Sequence, residues 1–258
     1  MAAASGYQPR RRLVVNADDF GKSASINEAV ARAHREGILT TASLMVNEPA
    51  CAEAVALARQ NPLLGVGLHL ALSEEPIAAG FRFFFNRAAR PQLRAEIRAQ
   101  MEKFIATGLT LDHVNSHHHL HMHPTVSGIL LQCLREMKIT RVRLTREPFW
   151  LNVRHVPGRR FRNWPHALIY VLLARCARRR FRQAQIRHPR YVFGLMQNHA
   201  VDERYLNQLL PALPDGDSEL YSHPSLNGFR HEFDALISPR VCDLVERLGI
   251  GLIRYQDL

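Results

Sequence analysis

The stretch from Asp112 to Pro124, DHVNSHHHLHMHP, places histidines at 113, 117, 118, 119, 121 and 123. Imidazole is the commonest protein metal ligand and titrates near neutral pH, so this density points to metal binding or proton transfer. Residues 112–116 end on β-type side chains and Pro124 opens a helical pattern, which is how a strand delivers side chains to the end of a sheet. Read as extended chain, His117, His119, His121 and His123 share one face and His118 turns away. Histidine-rich tracts also occur as tags or exposed loops, but a tag would not be framed by a strand and a helix.

Three other places carry residues of the same kind. Asp18 and Asp19 close the apolar run Leu13-Val14-Val15-Asn16-Ala17. Neighbours on a strand face opposite ways, so one carboxylate could bind a metal while the other accepts a proton from water. The competing reading is an Asx turn or helix cap completed by Gly21. His69 sits in GVGLHL at another strand end, where a lone histidine is often a satisfied core residue. An Asp-His-His set would leave open positions on a divalent cation, as a catalytic metal needs. His223, in Tyr221-Ser222-His223-Pro224, suits a general acid.

These residues require elements that end together. The pattern predicts strands at 12–19, 41–46, 66–70, 111–117, 140–144, 191–193, 219–222 and 251–255. Helices are expected at 25–36, 48–60, 92–107 and 125–137, with others beginning at Asp202 and Pro239. About eight βα units in 258 residues fit an irregular parallel (β/α) barrel. One domain, 1–258, is expected. Chemistry in a barrel belongs at the C-terminal ends of strands, and Asp18-Asp19, His69, His117 and His223 all fall there.

The N-terminus has no apolar core of a secretory signal, no run is long and apolar enough to span a membrane, and the four cysteines have no CxxC spacing. The expectation is a cytoplasmic protein with reduced thiols. The net charge of +11 is uneven. Residues 154–190 hold eleven arginines and no Asp, Glu or Lys, which leaves the rest of the chain at zero. In this basic insert, Trp164 leads into an uncharged stretch followed by Arg175, Arg178, Arg179, Arg180 and Arg182. Such a helix suits peripheral contact with an anionic membrane face through 164–182. A core helix with a solvated basic end is the plainer reading. Nucleic-acid binding is disfavoured, because no RNA module accompanies the charge.

NADDFG at 16–21, GLHL at 67–70, HVNSHHHLHMHP at 113–124, YSHPS at 221–225 and the final RYQDL resemble, in this order, the YdjC-like carbohydrate deacetylases. That resemblance implies a deformed barrel of the polysaccharide-deacetylase type and metal-dependent removal of N-acetyl groups from amino sugars. It makes Asp19, His69 and His117 the metal ligands, Asp18 the general base and His223 the general acid. His119 and His121 are then expected to line the site or to support it from behind, and Arg143 to bind substrate. The implied cofactor is one divalent ion, Mg2+ by resemblance, with Zn2+ compatible with the ligand set. The segment 81–109 is similar to the branch associated with hopanoid biosynthesis, which implies an N-acetylglucosaminyl hopanoid as substrate. In this chain the segment 71–80 is shorter than the lid expected there. Soluble chitooligosaccharides are the alternative substrate, and a non-catalytic metal- or nucleic-acid-binding protein the alternative class.

Overall fold

The computed structural model describes residues 9–72, 86–148 and 164–258, with the backbone alone for 164–171. The greater part of the short 71–80 segment and the first ten residues of the basic insert lie outside the described residues.

Among the described residues, seven strands form one curled parallel sheet: β1 Arg11–Phe20, β2 Thr41–Leu44, β3 Gly65–Leu70, β4 Leu111–Ser116, β5 Tyr191–Phe193, β6 Gly216–Ser222 and β7 Gly251–Ile253. Their order is β4-β3-β2-β1-β6-β5. β1 is central because Leu13, Val14, Val15 and Ala17 are all buried, as expected of a strand covered on both sides. Its upper half pairs with β2 and its lower half with β7.

The strand expected at 140–144 is reduced to single bridges. Val142 pairs with Val114 of β4 and Arg141 with Arg187. Further along, Val192 of β5 donates to the Arg146 carbonyl at 3.0 Å. Residues 140–146 therefore join the two edges of the curl, and the irregular barrel of the sequence reading is the observed fold.

Helices cover the outside, at Ala24–Glu36, Cys51–Gln60, Arg90–Ala106, Pro124–Glu136, Trp164–Gln183, Glu203–Ala212, Arg230–Leu236 and Pro239–Arg247. Local chemistry starts them. Ser23, Asp202 and Ser238 each accept a backbone N–H of the first turn, and Pro124 and Pro239 occupy first-turn positions. The helix Arg230–Leu236 has no counterpart in the sequence reading. It is seven residues long and lacks a side-chain cap. In the insert helix, Ala174, Ala177 and Phe181 are buried, while Arg175, Arg178, Arg179 and Arg182 are exposed. Arg180 is tied down, donating to the Pro124 carbonyl at 2.6 Å.

Candidate active site

Because all strands run parallel, their C-terminal ends open on one rim. β1 bears Asp18 and Asp19 there, β3 bears His69, β4 leads into His117, and β6 leads into His223. The pairing of β1 with β2 slips between Ala17 and Phe20, and Asp19 adopts the left-handed conformation at φ 64. Such a bulge re-aims side chains. It sends Asp18 into the barrel and Asp19 to the rim.

Asp19 Oδ1 lies 3.5 Å from His69 Nε2 and 3.3 Å from His117 Nδ1. One ligand atom from each of these residues lies within 4.8 Å of the others. The other Asp19 oxygen accepts from Lys22 Nζ at 2.9 Å. Asp19 Oδ1 and His69 Nε2 are buried and have no hydrogen-bond partner. Orphaned polar atoms converging in this way are costly unless something binds them, and the donor set suits a divalent cation. On the far side of the ring, His69 Nδ1 lies 2.7 Å from Asn115 Oδ1, its register partner on β4. That contact fixes the proton on Nδ1 and leaves Nε2 free to coordinate. Burial, opposed by Asp18 and Asp19, pushes the His69 pKa below its ordinary value, favouring the neutral ligand form. Burial works against charge on Asp19, but His117, His69 and Lys22 hold its carboxyl well below the usual range. The competing cap reading of this turn fails, because Ser23 caps the following helix.

Asp18 is buried and held at both oxygens. Asn16 and Asn115 donate to Oδ1 at 2.8 and 3.0 Å, and the Arg143 guanidinium grips both oxygens at 2.7 and 2.9 Å. Burial would raise its pKa, yet Arg143 holds it far below the carboxylate range. Arg143 is 0% exposed, so it does not line the substrate site as expected from sequence. Its guanidinium spans from Asp18 to Glu219 Oε1, at 2.6 Å from Nη2. Glu219 in turn accepts the Tyr255 hydroxyl.

The histidine run is not extended. Residues 117–122 form a 3-10 turn, with His118 and His119 in left-handed conformations at φ 53 and 55. The turn forms because Ser116 Oγ accepts the His121 N–H at 2.9 Å. His121 is buried with both nitrogens engaged, one by Ser116 Oγ and one by the Arg143 carbonyl. It supports the turn, one of the two roles expected of it. His119 Nε2 contacts the Tyr221 hydroxyl at 3.1 Å. His118 is exposed, its ring 4.0 Å from that of His117. His113 packs inside the barrel, stacked on Tyr255 at 4.1 Å and bonded to Ser43.

His223 is half-buried, and its buried Nδ1 has no hydrogen-bond partner. Burial pushes its pKa down to about 4 against the pull of Asp18 and Asp19. The ring is neutral at rest, and those two carboxylates are the groups that favour its taking up a proton.

Glu219, Tyr255, Asn115 and Asn16 complete this site, and sequence reasoning missed their part in it. The available signal was a polar side chain inside an otherwise apolar strand, as at Asn16, Asn115 and Glu219.

The profile of the YdjC-like protein family matches residues 12–247. The chain belongs to that family. This YdjC-like chain is 40% identical over 142 residues to a carbohydrate deacetylase of Brevibacillus brevis, and 37% identical over 142 residues to one of Geobacillus stearothermophilus. The matches cover 50% of this chain and 57% and 58% of those proteins. The chain thus matches little more than half the length of these curated relatives. Among solved structures, a candidate cellobiose-phosphate cleavage protein from Enterococcus faecalis superposes with a TM-score of 0.71 at 22% identity, covering 96% of this YdjC-like chain and 98% of that one. A family 4 carbohydrate esterase from Streptomyces lividans, in complex with acetate, gives 0.52 at 11% identity over 95% and 93% of the two chains. At such identities the likeness is one of fold.

Proposed function

We propose that this chain is a metal-dependent carbohydrate N-deacetylase, releasing acetate from an N-acetylated amino sugar. The observation that carries the reading is the convergence of unsatisfied Asp19 and His69 atoms with His117, beside a buried, Arg-held Asp18. The relatives named carbohydrate deacetylases support it.

Asp19, His69 and His117 would hold the divalent ion. When bound, such an ion polarises the acetyl carbonyl and lowers the pKa of water. Two imidazoles and one carboxylate suit a first-row transition ion such as Zn2+ better than Mg2+, which prefers oxygen ligands. Asp18 takes the proton of the attacking water, oriented by Arg143, Asn16 and Asn115. His223, neutral at rest, would take up that proton under the pull of Asp18 and Asp19 and hand it to the amine nitrogen as the C–N bond breaks, leaving acetate and the free amino sugar.

For the substrate we propose a lipid-linked amino sugar of the N-acetylglucosaminyl hopanoid type. Its support is the likeness at 81–109 and the exposed face of Arg175, Arg178, Arg179 and Arg182. Among the described residues no helix is long and apolar enough to cross a membrane, so contact with a leaflet would be peripheral. Each Arg near an anionic leaflet contributes roughly 1 kcal/mol.

Acetate release from an N-acetylglucosaminyl lipid and from chitooligosaccharides, with and without a chelator, tests both levels. Chelator-sensitive release from the lipid supports the full reading. Release from the soluble sugar alone leaves a deacetylase without the lipid assignment, and release from neither leaves a metal-binding protein.

A further inference from the structure

The turn at Phe229–Glu232 organises a second histidine beside His223, and no step proposed above uses it. His199 is exposed, yet its backbone is fixed in the left-handed region at φ 59. Histidine adopts that conformation more readily than most residues, and here the neighbouring contacts hold it. Phe229 stacks on its ring, with centroids 4.3 Å apart and planes 15° from parallel. His231 Nε2 lies 3.1 Å from the His199 carbonyl oxygen, placed to donate to it. Two residues on, the Val201 N–H donates to Glu232 Oε1 at 2.9 Å. The other oxygen of that fully buried carboxylate accepts the N–H of His223. One side chain therefore ties together the loops bearing the two histidines, whose ring centroids end 4.4 Å apart.

We propose that His199, seated on Phe229, is a sugar-contacting residue that holds the pyranose of the leaving amine against His223. The inference rests on the deacetylase reading. A fixed, exposed heteroaromatic ring offers an apolar face to the C–H face of a pyranose and nitrogen atoms to its hydroxyls. If His223 protonates the departing nitrogen, the sugar ring bearing that nitrogen has to lie alongside, where His199 stands. The ligand class is a hydroxyl-rich amino sugar rather than the acyl group.

The test compares the unmodified protein with His199→Ala, His199→Tyr and Phe229→Ala. Two readouts are used on zinc-loaded protein: acetate release from N,N′-diacetylchitobiose, and binding of the fully deacetylated disaccharide by saturation-transfer NMR. His199→Ala should raise KM about tenfold, the worth of one net hydrogen bond or stacking contact, with kcat changing less. Disaccharide binding should weaken in step. His199→Tyr, which restores a flat ring, should recover part of both, and Phe229→Ala should resemble His199→Ala. An unchanged KM in His199→Ala overturns the inference. So does a loss confined to kcat and accompanied by a lower melting temperature, which marks a structural role. If the unmodified protein binds the disaccharide through His199 yet releases no acetate, the deacetylase reading falls and the sugar site stands. If it neither binds nor cleaves, the sugar site falls as well.

Discussion

Arg143→Met would remove the cation that spans Asp18 and Glu219 in a fully buried setting. Deleting one partner of a buried ion pair strands the other, at a cost of about 3–5 kcal/mol. Each kcal/mol lowers the melting temperature of a domain this size by roughly 2–4 °C, so the expected drop at pH 7 is about 6–20 °C. Its pH dependence is the sharper test. In the unmodified protein the Asp18 pKa is depressed, so its stabilisation is present above the unfolded value near 4 and lost as pH falls below it. In the variant, burial acts on Asp18 without the opposing guanidinium, and the folded pKa rises above the unfolded one. The penalty is then full at neutral pH and relieved as acid protonates the carboxyl. The stability gap between the two proteins should therefore narrow from pH 7 towards pH 4. Thermal unfolding followed by circular dichroism over that range, on metal-free samples, measures it. A gap below 1 kcal/mol at pH 7, or one that stays constant with pH, would refute the reasoning. Arg143→Lys keeps the charge but not the two-pronged geometry, and should fall between.

Asp19→Asn, His69→Ala and His117→Ala should each sharply reduce bound zinc measured by plasma emission spectroscopy, whereas His118→Ala, at an exposed position, should retain most of it. Stoichiometric metal in all three ligand variants would sink the assignment. Asp18→Asn should keep the metal and lose roughly 10²–10⁴-fold in acetate release, the usual worth of a general base; near-normal turnover would make Asp18 a structural residue. Gly67→Ala should destabilise by about 1–3 kcal/mol in chemical denaturation, because a Cβ there would meet the His113 ring at 2.4 Å. Charge reversal of Arg175, Arg178 and Arg179, leaving the structural Arg180 intact, should abolish binding to anionic vesicles while preserving cleavage of a soluble N-acetylated sugar; equal loss of both would place that face in the fold.

What the sequence makes legible follows from range. The strands at 13–17 and 66–70 can be read because apolar runs end in polar residues, and their parallel arrangement brings Asp18, Asp19, His69, His117 and His223 to one rim. The form of the histidine run cannot be read, because a single Ser116 hydroxyl overrides the strand pattern and closes a turn. The strand expected at 140–144 is lost because 140–146 serves as a bridge between two edges and pairs with neither over any length. Arg143 reads in sequence as a substrate-binding side chain. Its partners Asp18 and Glu219 are 125 and 76 residues away, and only tertiary structure reveals that its charge is already spent. Phe229–Glu232 is hidden likewise, since its contacts reach back to His199 and Val201.

The stacking of Tyr255 on His113 and its bond to Glu219 have a consequence for the order of events during synthesis. β1 and its two aspartates emerge early, but the carboxylate that steadies Arg143 receives the Tyr255 hydroxyl, and the lower half of β1 its β7 neighbour, only after residues 251–255 have left the ribosome. Contacts of such long sequence separation form late. A nascent chain would carry every group proposed for chemistry well before it could hold them in register, and competence would arrive as one late step rather than accumulate with length.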